Sequence, residues 1–160
     1  MLTVGTEWLV EASGCDAGAL GDVERLGEVF ARAVAELGLR VVGRPVWHKF
    51  PGPGGVTGLA LLTESHLACH TYPEFEVATF NLYCCRARPR WAWEERLAEM
   101  LGAARVSVRV FERRVEVDAG VEKADVSLEV GGAGLGESVV RIEETEAPLA
   151  LATEFGGAAR

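Results

Sequence analysis

The chemistry available to this chain is concentrated in one stretch, Leu61-Leu-Thr-Glu-Ser-His-Leu-Ala-Cys-His-Thr-Tyr-Pro-Glu74. Glu64, Ser65, His66, Cys69, His70 and Glu74 bring together a hydroxyl nucleophile, two imidazoles able to move protons near neutral pH, a thiol and two carboxylates. Two of the protein's three histidines lie here. Apolar, strand-like runs flank the stretch on both sides. Nucleophile, acid/base and carboxylate at the end of a buried strand read as a reaction centre, with the rest of the chain as its scaffold.

Three chemistries compete for these residues. His66, Cys69, His70, Cys84 and Cys85 are soft enough to bind zinc, but no C-x-x-C is present, and strand alternation points Cys69 and His70 to opposite faces. A metal is therefore not expected. A Ser-His hydrolase would want Ser65 in a G-x-S-x-G elbow with an oxyanion loop, and neither is present. Taken singly, Ser65 and His70 are also ordinary strand-end polar residues. Alternation sorts the remaining thiols. From Val77 to Cys85, Ala78, Phe80, Leu82 and Cys84 share an apolar face, whereas Cys85 shares the other with Thr79, Asn81 and Tyr83. Cys69 and Cys84 thus read as small core residues, and Cys85 as a thiol free to act as an acid.

The positioning elements follow from periodicity. Thr6 to Ala12 reads as a strand with Trp8 and Val10 on one face, and Ser13–Gly18 as a turn. Asp22 caps a helix with apolar positions Val23, Leu26, Phe30, Ala33, Val34 and Leu37, ended by Gly38. Arg40 to Phe50 reads as a strand interrupted or edged at Pro45, and Pro51–Gly55 as a loop without the Gly-Lys-Ser/Thr of a phosphate-binding loop. Val56 to Thr63 is a near-continuous apolar run and predicts a buried strand. His66 to Tyr72 and Glu76 to Cys85 predict two more, with a turn at Pro73. Pro89 opens a second helix with Trp93, Leu97, Met100 and Leu101 as its stripe and Gly102 as its end, and Arg105 to Val117 is a last strand. The order β-α-β-β-β-β-α-β predicts an α+β fold, with helices on one face of a largely antiparallel sheet. Residues 1–118 form this domain. Residues 119–160 read as a partly flexible extension, with a weak strand at Val126–Val130 and a loop at Gly131–Gly136 that no helix follows.

Composition sets the outer bounds. With 160 residues, 49% of them apolar, the chain can bury a sizeable core. A net charge of −8 argues against nucleic-acid partners, which require a basic surface. No apolar run is long enough to span a bilayer, and Met1–Trp8 lacks the basic start and apolar core of a signal peptide. The four cysteines are accordingly expected to be reduced, in a cytoplasmic protein.

Gly55-Val-Thr-Gly58, Thr63-Glu-Ser-His-Leu67, His70-Thr-Tyr-Pro-Glu74 and Cys84-Cys85 resemble the short prokaryotic form of S-adenosylmethionine decarboxylase, whose motifs run Gly-Val-Ser-Gly, Glu-Ser-His-Leu, His-Thr-Trp-Pro-Glu and Cys. Ser65 to His70 is a step of five residues and His70 to Cys85 one of fifteen, as in that family. The resemblance spans roughly Thr6 to Val115, including Cys15-Asp16.

The resemblance implies a two-layer α/β sandwich that dimerises as cleaved αβ protomers, and a pyruvoyl cofactor generated by self-cleavage between Glu64 and Ser65. Ser65 would attack the Glu64 carbonyl to form an ester, and His70 would be the base for the elimination that frees the chain ending at Glu64. The pyruvoyl group left at residue 65 would form a Schiff base with the substrate amine and act as electron sink. Cys85 would return a proton to the α-carbon, and Phe50, Thr57, Leu67, Tyr72 and Glu74 would line the substrate. Decarboxylated S-adenosylmethionine would then feed spermidine and other polyamines. Thr57 replaces the family's Ser and Tyr72 its Trp, the Phe50–Thr57 loop is a residue longer, and the C-terminal extension has no counterpart. These departures leave two alternatives open: a pyruvoyl decarboxylase of a basic amino acid such as ornithine or arginine, and an unprocessed, non-catalytic homologue.

Overall fold

Strict alternation of apolar and polar side chains builds one sheet with one dry face. The computed structural model describes residues 1–117. Its elements are β1 (Leu2–Ser13), α1 (Ala17–Leu20), α2 (Val23–Glu36), β2 (Val46–Lys49), β3 (Val56–Leu62), β4 (Ser65–Tyr72), a 3₁₀ turn (Pro73–Phe75), β5 (Val77–Cys84), α3 (Trp93–Leu101) and β6 (Arg105–Val115). The six strands run in the order β2-β3-β4-β5-β1-β6, every neighbouring pair antiparallel. Among the described residues the helices pack on one face only, giving the α+β two-layer sandwich that the sequence predicts. The extension, with its weak strand and glycine loop, lies outside the described residues.

The core lies between the sheet and the helices. Trp8, Val10 and Ala12 of β1, Leu67 and Cys69 of β4, and Ala78, Phe80, Leu82 and Cys84 of β5 meet Leu26, Val29, Phe30 and Ala33 of α2 and Trp93, Leu97 and Leu101 of α3. Each large side chain sealed here contributes about 1.5–3 kcal/mol relative to exposure. Asp22 starts α2 as expected, its carboxylate accepting from the backbone N–H of Glu24 at 2.9 Å and of Arg25 at 3.3 Å. Leu37 then closes the helix, and Gly38 follows at φ +62°.

Several boundaries differ from the sequence reading, each for a local reason. The expected turn at Ser13–Gly18 contains α1, a single helical turn capped by Asp16, whose carboxylate accepts from Ala19 N–H at 2.7 Å. Arg40 to Phe50 forms only the short edge strand β2, preceded by an isolated bridge from Val41 to Leu62. Pro89 does not open α3. The helix begins at Trp93, after Trp91 and Trp93 have turned into the core edge-on to each other, 4.7 Å apart, with Glu94 and Glu95 in the dipole-favoured first turn. β3 is not buried on both faces: Leu59 and Leu61 remain 47% and 57% exposed, because no layer among the described residues covers that side of the sheet.

Two glycines of the Gly55-Val-Thr-Gly58 motif are required by close approach. A Cβ on Gly55 would lie 1.8 Å from the Thr71 carbonyl oxygen, and one on Gly58 2.1 Å from the Trp47 ring. Gly55→Ala is therefore expected to cost about 2 kcal/mol or more and to lower the thermal unfolding midpoint by roughly 5 °C or more. An unchanged midpoint would show that the strands part freely to admit a methyl group.

Candidate active site

The hairpin between β3 and β4 presents the reactive peptide bond. Leu62 pairs with Ser65, so Thr63 and Glu64 alone make the connection. Ser65 sits at φ 155°, a backbone that a residue with a Cβ adopts at a cost. The Glu64 carbonyl accepts the Cys85 N–H at 3.1 Å, which polarises the carbon next to Ser65. The Glu64 side chain, 11% exposed, is gripped by both arms of Arg88, with Nε donating to Oε2 at 2.9 Å. A third Arg88 donor reaches the Leu37 carbonyl at 3.4 Å and ties the hairpin to the end of α2.

Hydrogen bonding from Arg88 holds the Glu64 carboxyl below the usual carboxylate range, against the opposing effect of burial. A carboxylate whose folded pKa is depressed contributes stability that is present in full above its unfolded value. That contribution is lost as pH falls through the folded value. In an uncleaved Ser65→Ala background, the stability gap between Arg88 and its Gln variant should be open at about pH 7 and close toward about pH 3. Thermal unfolding across that range checks it, and a pH-independent gap would remove Glu64 as the cause.

A line of polar contacts crosses the uncovered face from Ser65. Ser65 Oγ lies 3.1 Å from His66 Nδ1, and His66 Nε2 lies 3.0 Å from Asn81 Oδ1. Asn81 Nδ2 donates to Glu7 Oε1 at 2.8 Å, and Arg113 donates to Glu7 Oε2 at 2.8 Å. The Asn81 hydrogen bond, with help from Arg113, lowers the Glu7 pKa and keeps it a carboxylate.

His70 belongs to a second cluster at the other end of β4. Its Nδ1 lies 2.6 Å from Thr57 Oγ1, and its ring packs 4.5 Å from Tyr72 and 5.6 Å from Phe50. A shallow depression of about 290 Å³, lined by His70, Thr79, Asn81, Ala68, Leu9 and Glu11 among others, opens beside it. Five residues of strand place His70 about 17 Å from Ser65. Within one chain, therefore, the structure does not bring these two residues together.

The other expected residues divide cleanly. Cys84 and Cys69 are buried, and burial pushes their thiols up to about 11 and about 12, so both are inert. Cys85 is exposed and directly follows Cys84, the rung partner of Ser65. Leu67 is 1% exposed and faces the helices, so it is a core residue rather than a wall of the open face. Glu74 is exposed in the 3₁₀ turn beyond Tyr72. Among the described residues no three His, Cys, Asp or Glu side chains converge on a metal-sized site, and no helix is long and apolar enough to cross a membrane. Sequence reasoning gave no role to Arg88, Asn81 or Glu7. Only the polar face of β5 hinted at Asn81.

Fold and site together define an α+β sandwich built around one serine at a tight strand connection, with an exposed thiol just past the end of the adjoining strand. The family model described as S-adenosylmethionine decarboxylase matches residues 6–114. The chain is 36% identical over 118 residues to the S-adenosylmethionine decarboxylase proenzyme of Thermococcus gammatolerans, covering 72% of this chain and 80% of that protein. It is 33% identical over 129 residues to the proenzyme of Carboxydothermus hydrogenoformans, covering 80% of this chain and 100% of the other. The crystal structure of the adenosylmethionine decarboxylase from Aquifex aeolicus VF5 superposes with a TM-score of 0.63 at 29% identity, covering 76% of this chain and 100% of that one. The chain belongs to the S-adenosylmethionine decarboxylase family.

Proposed function

We propose that this enzyme decarboxylates S-adenosylmethionine after cutting its own Glu64–Ser65 bond and converting Ser65 to a pyruvoyl group. The observation that carries the reading is the state of that one peptide: φ 155° at Ser65, with the preceding carbonyl held by the Cys85 N–H. The donor set suits the cofactor, because the group arises from a serine hydroxyl and Ser65 has a polarised carbonyl beside it.

Attack of Ser65 Oγ on the Glu64 carbonyl carbon turns the amide into an ester. Removal of the Ser65 α-proton then expels the Glu64 carboxylate, and hydrolysis of the resulting dehydroalanine releases its nitrogen as ammonia and leaves the ketone. Arg88 already neutralises the carboxylate of residue 64, so the new chain end forms beside a cation. Once formed, the pyruvoyl group supplies an electron sink for the carbanion left by CO2. Cys85 Sγ is the exposed thiol nearest this position in register, and it returns the proton to the α-carbon. Phe50 and Tyr72 offer aromatic faces to the adenine or the sulfonium. The product feeds aminopropyl groups to spermidine.

The working unit is a dimer. His70, the base for the elimination, sits about 17 Å along the strand from Ser65, on a face that no helix of the described residues covers and that exposes Leu59, Leu61 and Phe111. A second copy laid on this face about a two-fold axis brings His70 and Thr57 of one chain to Ser65 of the other. Four free thiols suit a cytoplasmic enzyme.

Intact mass and CO2 release test the reading. Purified protein should give two fragments divided at Glu64–Ser65 and release CO2 from S-adenosylmethionine in preference to ornithine, arginine and lysine. Preference for ornithine or arginine would trace to Tyr72 and establish a basic amino acid as substrate. A chain that stays whole under all conditions would make it a non-catalytic homologue.

A further inference from the structure

We propose that His66 is the base of the first processing step, and that Asn81 and Glu7 hold it in the tautomer that the step requires. The inference rests on the self-cleavage reading and assigns a residue that the motif spacing alone left without a role.

A carboxylate can only accept hydrogen bonds, and both Glu7 oxygens are engaged, one by Arg113 and one by Asn81. Asn81 must therefore turn its NH2 group toward Glu7, which leaves its oxygen facing His66 Nε2 at 3.0 Å. An amide oxygen only accepts, so Nε2 carries the ring proton. In neutral His66 the lone pair is then on Nδ1, 3.1 Å from Ser65 Oγ, and the serine hydroxyl is the donor. One carboxylate thus orients, through the Asn81 side chain, a base aimed at the nucleophile. The groups come from β6, β1, β5 and β4, four successive strands of the sheet, so the ladder itself holds the alignment. His70 is too far along its own strand to serve this hydroxyl from the same chain.

The proton accounting closes without an added reactant. His66 Nδ1 takes the proton from Ser65 Oγ as the bond from Oγ to the Glu64 carbonyl carbon forms. The bond from that carbon to the Ser65 nitrogen breaks, and His66 returns the proton to the departing nitrogen. The result is an ester and a free α-amine, with His66 neutral again. Elimination, which needs a base at the Ser65 α-carbon, is a separate event assigned to His70. The two histidines of the Ser65–Tyr72 strand thus serve successive steps.

Hydroxylamine distinguishes them, because it splits an ester and leaves an amide intact. His66→Ala should remain full-length and hydroxylamine-resistant, with ester formation slowed about 100-fold or more, and added imidazole should restore part of the rate. Asn81→Ala keeps His66 but frees its tautomer, so ester formation should slow roughly tenfold, whereas elimination from an ester already formed should proceed as in wild type. His66→Ala that cleaves at the wild-type rate, or gathers as a hydroxylamine-sensitive ester, overturns the proposal while leaving self-cleavage intact. Should His66→Ala fail to fold, Asn81→Ala decides by the same readout, and unslowed ester formation there overturns it. A wild-type chain that never cleaves overturns both readings.

Discussion

Ser65→Ala is expected to remain a single 17.2 kDa chain and to release no CO2 from S-adenosylmethionine. The wild-type protein should instead yield fragments of 64 and 96 residues, since 160 − 64 = 96. The loss should be total, because the hydroxyl has two successive uses and no neighbour can replace it. It is the nucleophile of the acyl shift, and as the ester oxygen it is then the leaving group of the elimination that opens the way to the ketone. Removing one oxyanion donor from an enzyme costs about 10²–10³-fold, but removing the oxygen whose departure lets the ketone form leaves no route to the electron sink at all. Thermal unfolding should be close to that of the uncleaved wild-type chain, since Ser65 contributes one half-buried contact to His66. Ser65→Cys provides the complement. A thiol performs the same shift, so this variant should cleave slowly through a thioester. Two fragments from Ser65→Ala, or turnover above background, would refute the assignment.

The fold could be read from the sequence because its main signal is local. Alternation in β5 buries Cys84 at the strand's last position and leaves Cys85, just past its end, exposed, and the same alternation in β4 buries Cys69 behind His70. Asp22 and Gly38 bracket α2 by backbone chemistry that acts within a few residues. What escaped was the effect of pairing between strands. Asn81 and Glu7 are 74 residues apart and meet only because β5 pairs with β1. Arg88 lies in a connection with no periodicity, and its grip on Glu64 depends on where that connection passes. Leu59 and Leu61 misled in the opposite direction. A continuous apolar run reads as burial on both faces, but here one face is left uncovered by the helices of the described residues. The spacing of five residues between Ser65 and His70 was clear as a motif, yet in a strand it means distance rather than contact.

That distance leads to the second large effect. Ser65→Ala alone and His70→Ala alone should each fail to cleave, but coexpressed they should rescue one another. In a mixed dimer, the His70→Ala chain supplies Ser65 and the Ser65→Ala chain supplies His70, so one complete site forms per pair. With random assortment in a closed two-fold dimer, about half of the His70→Ala chains should then be cleaved. The Ser65→Ala chains should stay whole. Before mixing, His70→Ala should stall at the ester and split with hydroxylamine, because its Ser65, His66 and Asn81 are all in place for the shift. A base acting within its own chain predicts no rescue whatever the ratio, since each chain would carry its own defect. The Thr57 hydroxyl, 2.6 Å from His70 Nδ1, travels with the histidine in this exchange. Thr57→Val should therefore be rescued by the Ser65→Ala chain just as His70→Ala is, and fail with His70→Ala as its partner. Cleavage in that last pairing would place Thr57 and His70 in separate sites, and absence of rescue in the first would place the elimination base elsewhere.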